Sequence, residues 1–118
     1  MRVGVKRGSA YDLFLTRRLT EAEIERGEEG VNAFVDGGLD VGAGLRQPMD
    51  EWVATHPRHR CLEPAFMTIL QAVATTRDRE PATIAFLREL VEELKATGFV
   101  ADSLARAGHE GLSVAPPG

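Results

Sequence analysis

The first residues able to take part in chemistry lie where a predicted strand turns directly into a predicted helix. The valines of residues 2–6 alternate as the apolar face of a strand. Gly8 breaks that strand, and Ser9 followed by Asp12 forms a Ser-x-x-Asp capping signal at the start of a helix. A helix that begins at a sheet edge presents unpaired N–H groups and the positive end of its dipole to a carboxylate or phosphate. The turn therefore predicts an anion site, with an ordinary capped junction as the alternative.

A second cluster contains residue types that bind metals. It falls within eight residues and consists of His56, His59, Cys61 and Glu63. The spacing is not a standard structural zinc pattern, and no second pair of ligands appears elsewhere in the chain. We expect loop residues and a small thiol here, and no metal.

A third pattern, Gly42-Ala43-Gly44, resembles the start of a dinucleotide-binding fingerprint. Gln47 stands where that fingerprint has its third glycine, and the pattern follows a strand without a clear helix start. The sequence therefore predicts no cofactor.

Composition narrows the class of protein. With 118 residues, 43% of them hydrophobic, the chain is long enough for one domain with its own core, or for part of a larger domain. The 14 basic and 18 acidic residues are mixed without a basic stripe, which argues against a nucleic-acid partner. Cys61 is the only cysteine, so no internal disulfide can form. A strand beginning directly after Met1 leads us to expect that an N-terminal portion is missing.

The elements that must position the turn alternate between strands and helices. In chain order the patterns predict a strand over 2–6, a helix over 10–19, a helix over 28–36, a strand over 39–45, a helix over 49–55, a buried strand over 66–74, and helices over 81–97 and 100–107. Residues 20–26 fit a helix or an edge strand equally well. Leu13 and Phe14 are expected to face inward, and Gly42 and Gly44 indicate a close neighbour. This order predicts an α/β fold with a largely parallel sheet.

The order of these pieces resembles the second lobe and C-terminal segment of bacterial solute-binding proteins that serve amino-acid ABC importers. Three stretches carry the resemblance: Val3–Tyr11, Gly38–Gly44 and Phe66–Ile69. It implies a periplasmic-binding-protein type 2 lobe over residues 1–63. Residues 64–118 would be a hinge return and a helical segment that packs on a first lobe, which is missing. The resemblance also makes residues 22–26 a strand.

By the same resemblance, the chain is a partial solute-binding protein that binds a small carboxylate-bearing solute, amino-acid-like or an organic acid, without chemistry. The ligand-binding residues carried over are Gly8, Ser9, Ala10, Tyr11, Leu45 and Arg46. Ser9 and Ala10 would hold the ligand carboxylate through backbone N–H groups and a hydroxyl. Leu45 stands where the family commonly has an aspartate for the ligand ammonium, and Arg46 would favour an additional carboxylate.

The resemblance also bears on partners and location. A complete protein of this family would have the importer's membrane subunits as partners and would work outside the cytoplasm. No apolar signal region opens this chain, so as written it is expected to be cytoplasmic or a fragment.

Two other functions stay open. Some dehydratases of cyclic carboxylic acids resemble the same lobe, and an acid in the cleft would then be Asp40 or Glu63. Alternatively, the chain is a cytosolic ligand-sensing or interaction module. The apolar surface of residues 66–107 would then be a face for self-association.

Overall fold

The sheet consists of three parallel strands, each of five residues or fewer. The computed structural model describes all residues from Met1 to Gly118. In it the strands are β1 (Arg2–Lys6), β2 (Glu23–Gly27) and β3 (Val41–Gly42), in the spatial order β2-β1-β3. Val3 pairs with Ile24 on one side and with Val41 on the other. The predicted α/β class and the parallel sheet are confirmed.

Five helices complete the secondary structure. They are α1 (Ala10–Arg18), α2 (Gly30–Asp36), α3 (Arg46–Ala54), α4 (Pro81–Ala96) and α5 (Phe99–Arg106). The chain divides into two units, Met1–Ile69 and Leu70–Gly118, which we call the sheet unit and the helical unit. None of the helices combines the length and the apolar character needed to span a lipid bilayer.

The core of the sheet unit lies between β1 and α1. Val3 and Val5 are buried on this face, as their alternation predicts, and they pack with Tyr11 and Leu15 of α1. Val5 has no exposed surface at all. These contacts hold α1 against the sheet and so fix the position of the turn that precedes the helix.

On the opposite face of the sheet, glycines allow α2 to approach very closely. A Cβ on Gly4 would lie 2.9 Å from the backbone nitrogen of Phe34, and a Cβ on Gly42 would lie 2.9 Å from the Phe34 Cβ. The close neighbour predicted at Gly42 is therefore a helix of the same chain. Gly30, the first residue of α2, has even less space for a side chain, since a Cβ there would lie 1.8 Å from the carbonyl oxygen of Ala43.

The prediction of a buried strand over residues 66–74 is wrong. This segment has no regular secondary structure, and Leu70 and Val73 are largely exposed. Met67 and Ile69 are partly buried against the core of the sheet unit. An apolar run becomes a strand only where a sheet edge is available to pair with it, and local sequence carries no information about that edge.

One orientation and one boundary also differ from the predictions, and one ambiguous stretch is resolved. Leu13 is 53% exposed, because α1 turns Tyr11 and Leu15 inward and leaves Phe14 only partly buried. The predicted strand over 39–45 shrinks to the two residues of β3. The ambiguous stretch is resolved as β2, in agreement with the strand implied by the resemblance.

The helical unit follows its sequence signals closely. Pro81 opens α4, and Gly98, with φ of +83°, separates α4 from α5 in the left-handed conformation that favours glycine. Lys95 near the end of α4 forms an ion pair with Glu92 at 2.6 Å and donates to the carbonyl oxygen of Pro116 at 2.8 Å. The predicted apolar stripe of α4 is partly buried at four positions, Leu87, Leu90, Val91 and Leu94.

We predict that Gly30→Ala strongly destabilises the sheet unit. The new methyl group would overlap the carbonyl oxygen of Ala43, and a backbone clash cannot be relieved by rotating a side chain. We expect a loss of about 3 kcal/mol or more in the free energy of unfolding, above the usual range for overpacking. Urea unfolding followed by the fluorescence of Trp52, the only tryptophan, measures it.

Gly38→Ala is the matched control for Gly30→Ala. Gly38 has φ of +53° but open space where its Cβ would be, so this variant reports backbone conformation alone. The Gly38→Ala substitution should lower the free energy of unfolding by only about 1–2 kcal/mol. Equal losses in the two variants would contradict the role of close packing at Gly30.

Candidate functional site

The predicted turn forms a reciprocal hydrogen-bonded cap. The Asp12 N–H donates to the Ser9 hydroxyl oxygen at 3.0 Å, and the Gly8 N–H donates to the Asp12 carboxylate at 2.9 Å. Gly8 has φ of +71°, which explains the glycine at this position. The capping signal read from the sequence is confirmed, except that the carboxylate reaches back to Gly8 and not to Ser9.

Two backbone donors at the start of α1 have no acceptor. The Ser9 N–H donates to the carbonyl oxygen of Lys6 at 3.2 Å, whereas the N–H groups of Ala10 and Tyr11 donate to nothing. The Ser9 hydroxyl oxygen accepts from Asp12, and the same hydroxyl interacts with the phenol of Tyr11. The start of α1 therefore offers two free backbone donors in the positive end of the helix dipole.

The side chain of Tyr11 belongs to the core of the sheet unit and interacts with Ser9 of the turn. Its side chain is buried, and burial raises the pKa of its phenol, while hydrogen bonding to Ser9 acts in the opposite direction. Of the four predicted ligand-binding residues in the turn, Gly8, Ser9 and Ala10 are at least partly accessible to solvent. Tyr11 can reach a ligand only through its backbone N–H.

An ion pair between a buried aspartate and a partly exposed arginine connects the turn to the next strand. Asp12 is only 3% exposed, and both of its carboxylate oxygens lie 3.0 Å from Nε of Arg26 in β2. The Arg26 guanidinium also donates to the Thr16 hydroxyl at 2.7 Å. Burial would raise the pKa of Asp12, but hydrogen bonds from Gly8, Arg26 and Thr16, together with the charge of Arg26, hold that pKa below its ordinary value.

The strand order brings the two predicted groups of ligand-binding residues to one edge of the sheet. We call this the carboxyl edge, where the strands end beyond Lys6, Gly27 and Gly42. The connection through α1 leaves β1 for β2, whereas β3 lies on the other side of β1. In open parallel sheets, ligands bind in the crevice where successive connections diverge in this way.

The pairing register supports the same placement. Val3 pairs with Val41 and Gly4 with Gly42, a constant offset of 38 residues. Neighbouring strands lie about 4.8 Å apart, so the loops after β1 and β3 leave the sheet side by side.

Arg46, the first residue of α3, already holds a carboxylate. Its two terminal nitrogens lie 2.6 Å and 3.2 Å from the two carboxylate oxygens of Glu63, a two-point arrangement typical of arginine with a carboxylate. Leu45 precedes it as an exposed helix cap without a side-chain hydrogen bond. Leu45 therefore has no group to pair with a ligand ammonium.

Two further cations at the carboxyl edge are absent from the sequence-based prediction. Lys6 pairs with Glu29 at 2.5 Å, and hydrogen bonding to that carboxylate raises the pKa of the exposed Lys6 ammonium. Arg7 forms no ion pair, and its guanidinium has only one long hydrogen bond, 3.5 Å, to the carbonyl oxygen of Arg26. Their position at the end of β1, next to Gly8, is the signal that could have identified them.

The candidate acid Asp40 lies at the opposite end of the sheet. Its carboxylate accepts from the backbone N–H of Arg2 at 2.7 Å, and its own N–H donates to the Arg2 carbonyl oxygen at 3.1 Å. Arg2 begins β1, so Asp40 stands at the amino edge, away from the turn. The other candidate acid, Glu63, is the residue held by Arg46.

The histidines of the 56–63 cluster surround Trp52 and do not converge with the other members. His56 stacks on the indole with ring centroids 3.9 Å apart, and His59 lies at 4.8 Å. A hydrogen bond to Asp50 and burial raise the pKa of the Cys61 thiol, which disfavours the reactive thiolate. No group of three or more histidine, cysteine, aspartate or glutamate side chains is arranged to hold a metal ion.

One groove of about 380 Å³ runs along α1 from its first turn to its last. It is open and mainly apolar, and it is lined by Ala10, Leu13, Phe14, Arg17, Arg18 and Met67. Apart from Ala10, none of these residues belongs to the predicted ligand-binding set.

Comparison of the chain with protein-family models, with curated proteins and with solved structures found no match. The structure by itself defines the class: an α/β protein with a three-stranded parallel sheet and five helices.

We predict that Asp12→Asn lowers stability at neutral pH and much less in acid. The native pKa of Asp12 is depressed, so its contribution is complete above the ordinary aspartate pKa of about 4 and disappears as the pH falls through the native value. At pH 7 we expect a loss of about 2 kcal/mol, the usual size for hydrogen bonds to a charged group. Urea unfolding of both proteins from pH 7 to pH 3 measures the difference.

Asp36→Asn provides the control for this pH series. Asp36 is exposed at the end of α2 and takes part in no ion pair. Its replacement should change stability by no more than about 0.5 kcal/mol at any pH. A deficit in Asp12→Asn that is as large at pH 3 as at pH 7 would argue against the ion pair as its cause.

Proposed function

We propose that the sheet unit is a carboxylate-binding lobe of the kind found in solute-binding proteins of ABC importers. It would bind a small carboxylate-bearing solute at the carboxyl edge without chemical conversion. The observation that carries this proposal is the strand order β2-β1-β3, which sets the start of α1 and the loop after β3 at the same crevice.

The donors at the start of α1 support a carboxylate as the ligand. The free N–H groups of Ala10 and Tyr11 can each donate one hydrogen bond to an anion. Arg7 adds a positive charge that no carboxylate neutralises. The ion pair between the buried Asp12 and Arg26 holds this turn in shape before a ligand binds, which lowers the ordering cost of binding.

The loop after β3 supports an organic acid in preference to an α-amino acid. An ammonium group taken out of water needs a carboxylate partner, and the exposed Leu45 supplies none at the place where the family commonly has an aspartate. A complete receptor would close a second lobe over this edge and present the solute to importer membrane subunits. The sheet unit alone provides one wall of such a cleft, so we expect weak binding.

We predict that Ser9→Asp abolishes carboxylate binding and leaves the fold intact. Aspartate caps helices as well as serine does, but its negative charge would repel an anion from the same donors. In the wild-type chain, acetate should shift the backbone amide resonances of Ala10 and Tyr11 in a saturable way. In the variant we expect at least a tenfold loss of affinity, the equivalent of about 1.4 kcal/mol.

Ser113→Asp is the control for added charge. Ser113 is exposed in the helical unit, so this variant has the same net charge as Ser9→Asp but an unchanged turn. It should bind acetate as the wild type does. Equal weakening in both variants, or acetate shifts that are absent at Ala10 and Tyr11 in the wild type, would count against the proposed site.

A second function, that of an interaction module, is favoured by apolar side chains left exposed in the helical unit. Leu70, Val73, Phe86 and Phe99 all expose more than half of their surface. Several such residues within one small unit are typical of a surface that another protein covers. Self-association of this chain would cover them.

We predict that Phe86→Glu weakens any self-association of the full chain. Phe86 is 60% exposed on α4, so a charge there should be tolerated by the fold and opposed by an apolar interface. Sedimentation velocity over a range of concentrations measures the effect. Ala85→Glu adds the same charge at the neighbouring exposed position and should have a smaller effect. A wild-type chain that stays monomeric at all concentrations would remove this second function.

A further inference from the structure

Helix α1 has a second face, distinct from the one that packs on the sheet. Tyr11 and Leu15 belong to the core of the sheet unit. The residues three, four, seven and eight positions after Ala10 share another face of the helix, because an α-helix repeats every 3.6 residues. All of them line the groove beside α1, and they are Leu13, Phe14, Arg17 and Arg18. This face begins with apolar side chains and ends with two cations.

Met67 supplies the part of the groove that α1 does not. It lies in the irregular segment after residue 65 and is partly buried against the core of the sheet unit. In the same segment, the Phe66 ring lies 6.0 Å from the Phe14 ring, centroid to centroid. Between α1 and this segment the groove has a volume of about 380 Å³, and pockets for small molecules measure about 300–1,000 Å³. The groove is therefore large enough for one small molecule.

The two arginines make one end of the groove positive. Neither Arg17 nor Arg18 takes part in an ion pair, and no acidic side chain lines the groove. The Arg18 guanidinium lies 5.5 Å from the centroid of the Phe14 ring, a cation–π contact that keeps it beside the apolar wall. The end of a helix carries only about half a negative charge, so two guanidinium groups outweigh it.

We propose that this groove binds one molecule of an amphiphilic carboxylate of the medium-chain fatty-acid class. Its alkyl chain would lie along Leu13, Phe14 and Met67, and its carboxylate would meet Arg17 and Arg18. An apolar groove with a cationic end is complementary to a molecule with an apolar tail and an anionic head. A short acid such as acetate would leave the apolar wall uncovered, and a neutral apolar molecule would leave both cations without a partner.

The observations favour a single molecule over the surface of a lipid bilayer. A helix that lies in a bilayer surface needs a wide apolar face, and Leu13 is the only large apolar side chain of α1 that is more than half exposed. Phe14 is partly buried against the core and packs beside Phe66. The apolar strip left along α1 can be covered by one alkyl chain.

The test compares octanoate with octanol on the full chain. Octanoate should shift the amide resonances of Leu13 and Phe14 and the methyl resonance of Met67 in a saturable way. We expect Arg17→Gln combined with Arg18→Gln to weaken octanoate about tenfold, the loss of charge-assisted contacts to the carboxylate. The same variant should change the affinity for octanol less than twofold. Leu13→Gln should weaken both ligands, because both use the apolar wall.

Arg58→Gln combined with Arg60→Gln is the matched control for charge. Both residues are exposed in the sheet unit, take part in no ion pair and lie outside the lining of the groove. This variant should bind octanoate as the wild type does. Equal weakening in the two double variants would overturn the role of Arg17 and Arg18. Octanoate that leaves the three reporter resonances unshifted in the wild type would overturn the site itself.

The outcomes also separate this inference from the proposed function, on which it does not rest, because the groove and the start of α1 share only Ala10. If octanoate binds while acetate leaves Ala10 and Tyr11 unshifted, the proposed function fails and the inference stands. If Ser9→Asp removes octanoate binding and the loss of Arg17 and Arg18 does not, the carboxylate lies at the start of α1 and the inference is overturned. It is also overturned if phosphatidylglycerol vesicles, and not octanoate, shift the reporter resonances.

Discussion

The architecture of the sheet unit depends on the close contact between α2 and the sheet. Gly30 opens α2 at a position where a single methyl group would reach within 1.8 Å of the Ala43 carbonyl oxygen. Gly4 and Gly42 form the surface on which the helix lies, because neither carries a side chain that would hold Phe34 away. Moving α2 outward would shift the connection from β2 to β3, and with it the loop that carries Arg46. Three glycines thus fix the far side of the proposed crevice without contributing any chemistry to it.

The near side of the crevice depends on Asp12. Its backbone N–H donates to the N-cap residue Ser9, and its carboxylate accepts from the Gly8 N–H and from Arg26 of the neighbouring strand. Asp12 itself is buried, so the loss of Arg26 would leave a carboxylate out of water without its cation, which costs more than the pair contributes. One carboxylate therefore joins the turn to β2, in addition to the ladder that pairs β2 with β1. The N–H groups of Ala10 and Tyr11 stay free because the Ser9 hydroxyl accepts from Asp12 and the Asp12 carboxylate accepts from Gly8.

The parts of the fold that were predictable are those specified by neighbouring residues. The turn at Gly8 and the helix opened by Pro81 each carry their own signals, and both form where those signals indicate. The prediction of a buried strand over 66–74 is wrong because apolar composition does not identify a pairing partner. Arg26 as the partner of Asp12, and Glu63 as the partner of Arg46, lie 14 and 17 residues away. Only the folded chain reveals them, although Arg26 shares a strand face with Ile24, an indication that it points toward α1.

The charged pairs of the carboxyl edge differ in how easily a ligand could replace them. In the pair of Asp12 and Arg26 the carboxylate is buried, and an external anion cannot substitute for a carboxylate that also holds the Gly8 N–H. The pairs of Glu29 and Glu63 are exposed, and pairs of that kind contribute about 1 kcal/mol or less. A solute carboxylate can exchange with them at little cost to the fold. In the proposed function, the pair of Asp12 and Arg26 accordingly maintains the shape of the turn, whereas the exposed pairs are not needed for it.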